Sequence, residues 1–389
     1  MKTLQISSSI LVVAILLAAC STSSKESFDY AKFSAIGESE KSLNLVALDG
    51  YVQNGDDDIK TNWVENFETE TKCSVNIYNA KSETDIVKRV ETGKVDGLLA
   101  RTNVVGELSS KGSVAPINTA LIAKYPQIPE RLKGQSFNTI ENQTYSLPVS
   151  FGFQVLSYNN EKIEPTDSWK PFFKPEKIAK NKISVDRSLI TFAQAALFLK
   201  TENPKLGIKN PFALSQDQFT EVVNLLEKQK SNGTNYFGDQ ISLSNSLASR
   251  ESLLGNTDLN YSYALRSENV SVNFTIPKEG TVGWVDAWAI SANALNPNCM
   301  YKWLNHVSSS EIDAKYAQFI GAAPANIESC SFTSKTNHCK LYFSTDNSIL
   351  DRVTFWTNPT KTCLDGRTKD ECKTYEEYKT AWNKIIEPS

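Results

Sequence analysis

Residues 43 to 100 constrain the fold more than any other stretch. Leu43 to Leu48 reads LNLVAL, a short apolar run closed by Asp49-Gly50, and predicts a buried strand. Ile59, Trp63 and Phe67 recur at helical spacing and predict a helix with one apolar face. Cys73, Val75 and Ile77 alternate as a second strand does. Ser82 and Asp85 read as a helix start before Ile86, Val87 and Val90, and VDGLLA at 95–100 reads as a third strand. Strand, helix, strand, helix, strand in so short a span predicts a parallel α/β sheet. Ligands of such sheets sit beyond the C-terminal strand ends. That rule singles out Asp49, Gly50 and Tyr51 after the first strand, and Arg101, Thr102 and Asn103 after the third.

At 389 residues the chain has room for two domains. A second α/β region is legible downstream. Ile183 to Val185 reads as a strand and Leu189 to Leu199 as a buried helix. Ser215 and Gln218 form a capping box before Phe219, Val222, Val223 and Leu226. Tyr261 and Tyr263 are assigned to a further strand. Asn296-Pro297 starts a helix, and the last helix spans about 375–386, with Tyr378 and Trp382 on one face.

Several function classes are disfavoured. A formal charge of −3 gives no basic footprint for nucleic acid. The two histidines, His306 and His338, leave little material for a histidine metal site or a serine–histidine triad. No H-E-x-x-H, G-x-S-x-G or P-loop pattern occurs, so neither catalysis nor a cofactor is expected. Asp56 to Asp58 lack the glycine and distal Glu of a calcium loop and read as a solvated turn.

The N-terminus points out of the cytoplasm. Lys2 precedes an apolar run, Ile10 to Ala19, too short for a comfortable transmembrane helix, which reads as a signal peptide over residues 1–19. Its Leu17-Ala18-Ala19-Cys20 ending resembles a bacterial lipobox, in which Cys20 is lipidated and anchors the body to a membrane. Residues 20–41, rich in Ser, Lys and Glu, read as a flexible tether. Cys73, Cys299, Cys330, Cys339, Cys363 and Cys372 remain, an even number that suggests disulfides in an exported chain. The pairing is open on sequence alone. Local loops, Cys330–Cys339 and Cys363–Cys372, with Cys73–Cys299 joining distant segments, are the arrangement we favour. Zinc is disfavoured because no C-x-x-C pair occurs.

The stretch with the most chemistry is GWVDAW, Gly283 to Trp288. A carboxylate between two indoles suits a cation, which Asp286 would pair with and the faces of Trp284 and Trp288 would attract. The competing reading is an amphipathic strand with Val285 opposite Trp284 and Asp286.

Taken together, LNLVALDGYV (43–52), FETETKCSVNIYNA (67–80), YSLPVSFG (145–152), PKEGTVGWVDAWAISANALNPNCMYKWLNH (277–306), IGAAPAN (320–326) and TYEEY (374–378) resemble a known family in order and spacing. The chain resembles a bacterial extracellular solute-binding protein of an ABC importer, of the spermidine/putrescine type and closest to its YdcS-like branch. The likeness covers almost all of residues 41–388. It implies an α/β, two-lobed periplasmic-binding-protein fold of type II, with the ligand in a cleft between lobes joined by hinge crossovers. The lobes would be 42–148 with 286–322, and 149–285 with 323–389. It also implies a receptor that hands its ligand to ABC permease subunits, in the periplasm or at the cell surface, anchored through Cys20.

Carried over position by position, Tyr51 matches a cleft tyrosine, and Trp284 and Asp286 match the pair that holds one amine. Tyr263 stands where a cleft tryptophan is usual, Leu48 where another is usual, and Arg101 where serine is common. Arg187 to Thr191 lack the family's acidic pair. Only Asp286 and Asp49 then count as cleft carboxylates, few for a long polyamine, because an unpaired buried ammonium is costly. The expected ligand is a small amine such as putrescine or spermidine. The alternative is a zwitterion such as γ-aminobutyrate or an amino acid, its carboxylate on Arg101. A cleft enzyme and a structural surface lipoprotein are the remaining rivals.

Overall fold

The computed structural model describes residues 33–56, 61–334 and 337–387. The signal peptide, Cys20, most of the tether, and Asp57 and Asp58 lie outside the described residues. Strands β1 (Ser42–Leu48), β2 (Ser74–Ala80) and β3 (Gly97–Arg101) form the first parallel unit, with β1 between the other two. Helices α1 (Glu65–Thr71) and α2 (Glu83–Glu91) make the crossovers, and α3 (Thr102–Ser110) leaves the end of β3. Ser82 caps α2 by accepting from the Asp85 amide. Helix α1 is shorter than the spacing predicted, for Trp63 precedes it and is instead buried in the loop.

The long strand β4 (Leu147–Asn159) then crosses the molecule. It leads to β5 (Ile183–Asp186), α4 (Ile190–Glu202), α5 (Gln216–Ser231), β6 (Thr234–Phe237), α6 (Gln240–Ala248), β7 (Leu254–Asp258) and α7 (Leu259–Ser267). A second crossing strand, β8 (Thr281–Ser291), precedes α8 (Pro297–Val307), α9 (Ser310–Ile320) and the terminal α10 (Tyr375–Ile386). The sheet order is β2-β1-β3-β8-β4-β7-β5-β6. Strands β8 and β4 run antiparallel to each other and to their outer neighbours β3 and β7, so this central pair links two parallel α/β units into a two-lobed molecule. All of β8 is buried. Capping boxes at Ser215/Gln218 and Thr374/Glu377 start α5 and α10.

Two expectations are corrected. Tyr261 and Tyr263 are on helix α7, not a strand. Leu259, Ser262 and Leu265 supply its buried face at helical spacing, and two residues apart on a helix point to nearly opposite sides. The end of the expected tether, residues 33–41, packs on the body. Phe33 stacks on Tyr301 at 5.1 Å, and Glu40 accepts from the Asn298 and Cys299 amides, both at 2.8 Å, at the positive start of α8.

Cys73 is joined to Cys299, Cys330 to Cys339 and Cys363 to Cys372. The first ties the start of β2 to α8. Among the described residues no helix is long and apolar enough to cross a membrane.

Candidate functional site

The strand ends of both lobes meet around a cleft of about 790 Å³. From the first lobe come Asp49 and Tyr51 after β1, Glu83 at the start of α2 and Arg101 at the end of β3. From the second come Asp186 at the end of β5, Asp239 before α6, Asp258 at the end of β7, and Asn260 and Tyr261 in the first turn of α7. Trp284 and Asp286, on the crossing strand β8, form the floor. Gly152 of β4 is paired with Trp284, and a Cβ there would collide with the indole, so this position needs glycine for the ring to lie flat on the sheet.

Asp286 is buried, and its Oδ2 accepts from Ser150 Oγ at 3.1 Å and Tyr316 Oη at 3.2 Å. Burial pushes its carboxyl up to about 6, against the opposing pull of Arg101 and the two hydroxyls. Arg101 reaches Asp258 Oδ2 at 3.1 Å and lies over the Trp284 ring, 4.7 Å from its centroid. Burial disfavours the guanidinium charge, but Asp258 and then Asp286 outweigh it and raise its pKa above the ordinary arginine value. Burial, with Asp286 adding to it, likewise raises the Tyr51 phenol, whose ring meets Tyr316 edge-on at 6.3 Å. Asp186 is held by Gln154, by Ser188 at 2.9 Å and by Gln240 at 3.1 Å, and burial raises its pKa too.

Three buried polar atoms of the cleft residues have no hydrogen-bond partner: Asp258 Oδ1, Asn260 Oδ1 and Trp284 Nε1. Buried polar atoms are normally paired, so these two acceptors and one donor are exceptions among the residues that line the cleft.

The structure brings Asp49, Tyr51, Arg101, Trp284 and Asp286 together around one cleft. Asn103, two residues beyond Arg101, is not in the cleft lining, and its Nδ2 donates to Glu83 at 3.2 Å. Tyr263 is not at the cleft. It packs on Phe274 and Tyr342 and donates to the Leu341 carbonyl at 2.9 Å. Trp288 does not flank Asp286 over a ligand. The β8–β4 register slips between Asp286 and Ala287, and Trp288 packs edge-on against Trp303 in the core that holds Val285.

Sequence reasoning missed Glu83, Asp186, Asp239 and Asp258. Six carboxylates line the cleft (Asp49, Glu83, Asp186, Asp239, Asp258 and Asp286) against three cations, Lys81, Arg101 and Arg187, so the expected count of two is corrected. Asp186 and Asp258 end strands, and the strand-end rule used for the first lobe finds them when applied to the second.

The sequence pattern of the family described as bacterial extracellular solute-binding protein matches residues 62–334. The putrescine-binding periplasmic protein PotF of Escherichia coli K12 is 26% identical over 294 residues, covering 71% of this chain and 77% of that protein. The spermidine/putrescine-binding periplasmic protein of the same organism is 22% identical over 282 residues, again 71% and 77%. The Tp0655 (TpPotD) lipoprotein of Treponema pallidum superposes with a TM-score of 0.70 at 16% identity, over 88% of this chain and 99% of that one. The architecture is thus the type II periplasmic-binding-protein fold, and family and fold are those of non-catalytic binding proteins. The chain belongs to the bacterial extracellular solute-binding proteins.

Proposed function

We propose that the cleft captures a small di- or polyamine, such as putrescine or spermidine, and that the loaded protein delivers it to an ABC permease. The observation that carries this is the excess of carboxylates over cations along the cleft. An ammonium has three donors and no acceptor, and it fits such a wall. The curated relatives that bind putrescine or spermidine by name support the same reading. Asp49, Tyr51 and Asp286 are the contacts we assign to the ligand, with Trp284 in the cleft floor beneath Arg101. Replacing Asp286 with Ala should weaken amine binding at least tenfold, about 1.4 kcal/mol or more. Unchanged affinity by calorimetry would remove Asp286 from the site.

The zwitterion reading has one observation in its favour, the unpaired Trp284 Nε1 beside Arg101, which could donate to a carboxylate. Against it, Asp258 already meets the guanidinium charge. γ-Aminobutyrate displacing bound putrescine would establish it.

The lobe boundaries we propose are those named above, with the hinge where the β8–β4 register slips at Asp286/Ala287. We also propose that Cys20 carries the lipid anchor. Release of the protein from membranes by Cys20→Ser would support the anchor, and retention of that variant would refute it.

A further inference from the structure

Arg101 is placed as a ligand would be. It leaves the end of β3 in the first lobe, crosses the cleft and meets Asp258 at the end of β7 in the second, at 3.1 Å. On the way its guanidinium lies over Trp284, 4.7 Å from the ring centroid. An aromatic face with a carboxylate at its edge is what a bound cation needs. Here both are taken by a side chain of the protein. The pair is well sheltered, with side-chain exposures of 27% for Arg101 and 5% for Asp258. A guanidinium is planar, permanently charged and weakly hydrated, so it suits such a place better than an ammonium does.

We propose that Arg101 is a resident cation, filling the subsite made by Trp284 and Asp258 and so fixing how many ammonium groups a ligand can bring. This rests on the amine reading of the same cleft. A ligand ammonium entering beside Arg101 meets like charge and finds Asp258 Oδ2 already bonded. The ligand is then confined to the part of the cleft around Asp286, Tyr51 and Asp49, which favours a diamine over a triamine. Arg101 acts as a specificity-determining residue, and its loss opens the cleft to a longer, more highly charged chain.

The test compares putrescine and spermidine affinities of the purified full chain by calorimetry, for the wild type, Arg101→Ala and Arg101→Met. The Met variant keeps an unbranched stem over Trp284 should the Ala variant fail to fold. The expected result is a rise of about tenfold in the spermidine-to-putrescine affinity ratio when the guanidinium is removed. An unchanged ratio in a folded variant overturns the proposal. If the wild type binds neither amine, the amine reading fails, and methylguanidinium then decides the claim for Arg101. That probe should raise the melting temperature of the variant and not of the wild type, and no such difference overturns the proposal.

Discussion

Arg101 and Asp286 are directly paired residues on the adjacent antiparallel strands β3 and β8, yet the guanidinium reaches across the cleft to Asp258 and the Asp286 carboxylate accepts from Ser150 and Tyr316. The floor of the cleft therefore carries a buried acid whose bonded oxygen is met by neutral hydroxyls. That acid is the natural counter-charge for a ligand ammonium.

The first consequence is pH dependence. Burial pushes the Asp286 carboxyl up to about 6 in the folded chain, above the ordinary aspartate value of 3.8 that it takes when unfolded. Between those values the native state binds more protons, so Asp286 contributes a loss of stability as pH rises through that window. Asp286→Asn should flatten this slope and stabilise the ligand-free protein at pH 7 by roughly 1–3 kcal/mol, measured by urea unfolding. Amine binding needs the charged form, so affinity should fall up to about tenfold per unit below pH 6. Calorimetry across roughly pH 4.5–7.5 checks this.

Gly152 supports the Trp284 ring from beneath. Gly152→Ala should cost about 1–3 kcal/mol through overpacking and should also weaken amine binding by displacing the indole. Urea unfolding and a binding titration on the same sample separate the two effects.

Asp96 is a structural carboxylate that accepts from the amides of Asn44, Leu295 and Asn296 and from the side chains of Asn44 and Asn296. It fastens β1 to the turn before α8. Asp96→Ala strands several part-buried donors and should cost about 1–3 kcal/mol. Lost thermal stability with intact amine selectivity is the expected outcome.

The Cys73–Cys299 bond closes a sequence separation of 226 residues, whereas Cys363–Cys372 closes 9. Chain-entropy reasoning gives the longer loop roughly twice the stabilisation of the shorter. Removing Cys73 and Cys299 together should therefore lower the melting temperature more than removing Cys363 and Cys372, as read by scanning calorimetry.

Much of the first lobe was legible because its strands are short apolar runs closed by turn residues and its helices carry caps, as at Ser82. The candidate site was legible where one rule was applied, at Asp49, Tyr51 and Arg101. It failed at Tyr263, because two tyrosines two residues apart read as strand alternation while the buried Leu259, Ser262 and Leu265 were the stronger, helical signal. It failed at Trp288 because a register slip is a property of strand pairing, invisible along one strand. The Arg101–Asp258 pair joins residues 157 apart and depends on how the lobes face each other.

The central claim is amine capture by this cleft, and the most direct measurement is calorimetric titration of the purified chain with putrescine, spermidine and γ-aminobutyrate at pH 7.5. The expected result is saturable binding of putrescine, weaker binding of spermidine, and none of γ-aminobutyrate at the same concentrations. Binding of γ-aminobutyrate alone, or of none of the three, would contradict it.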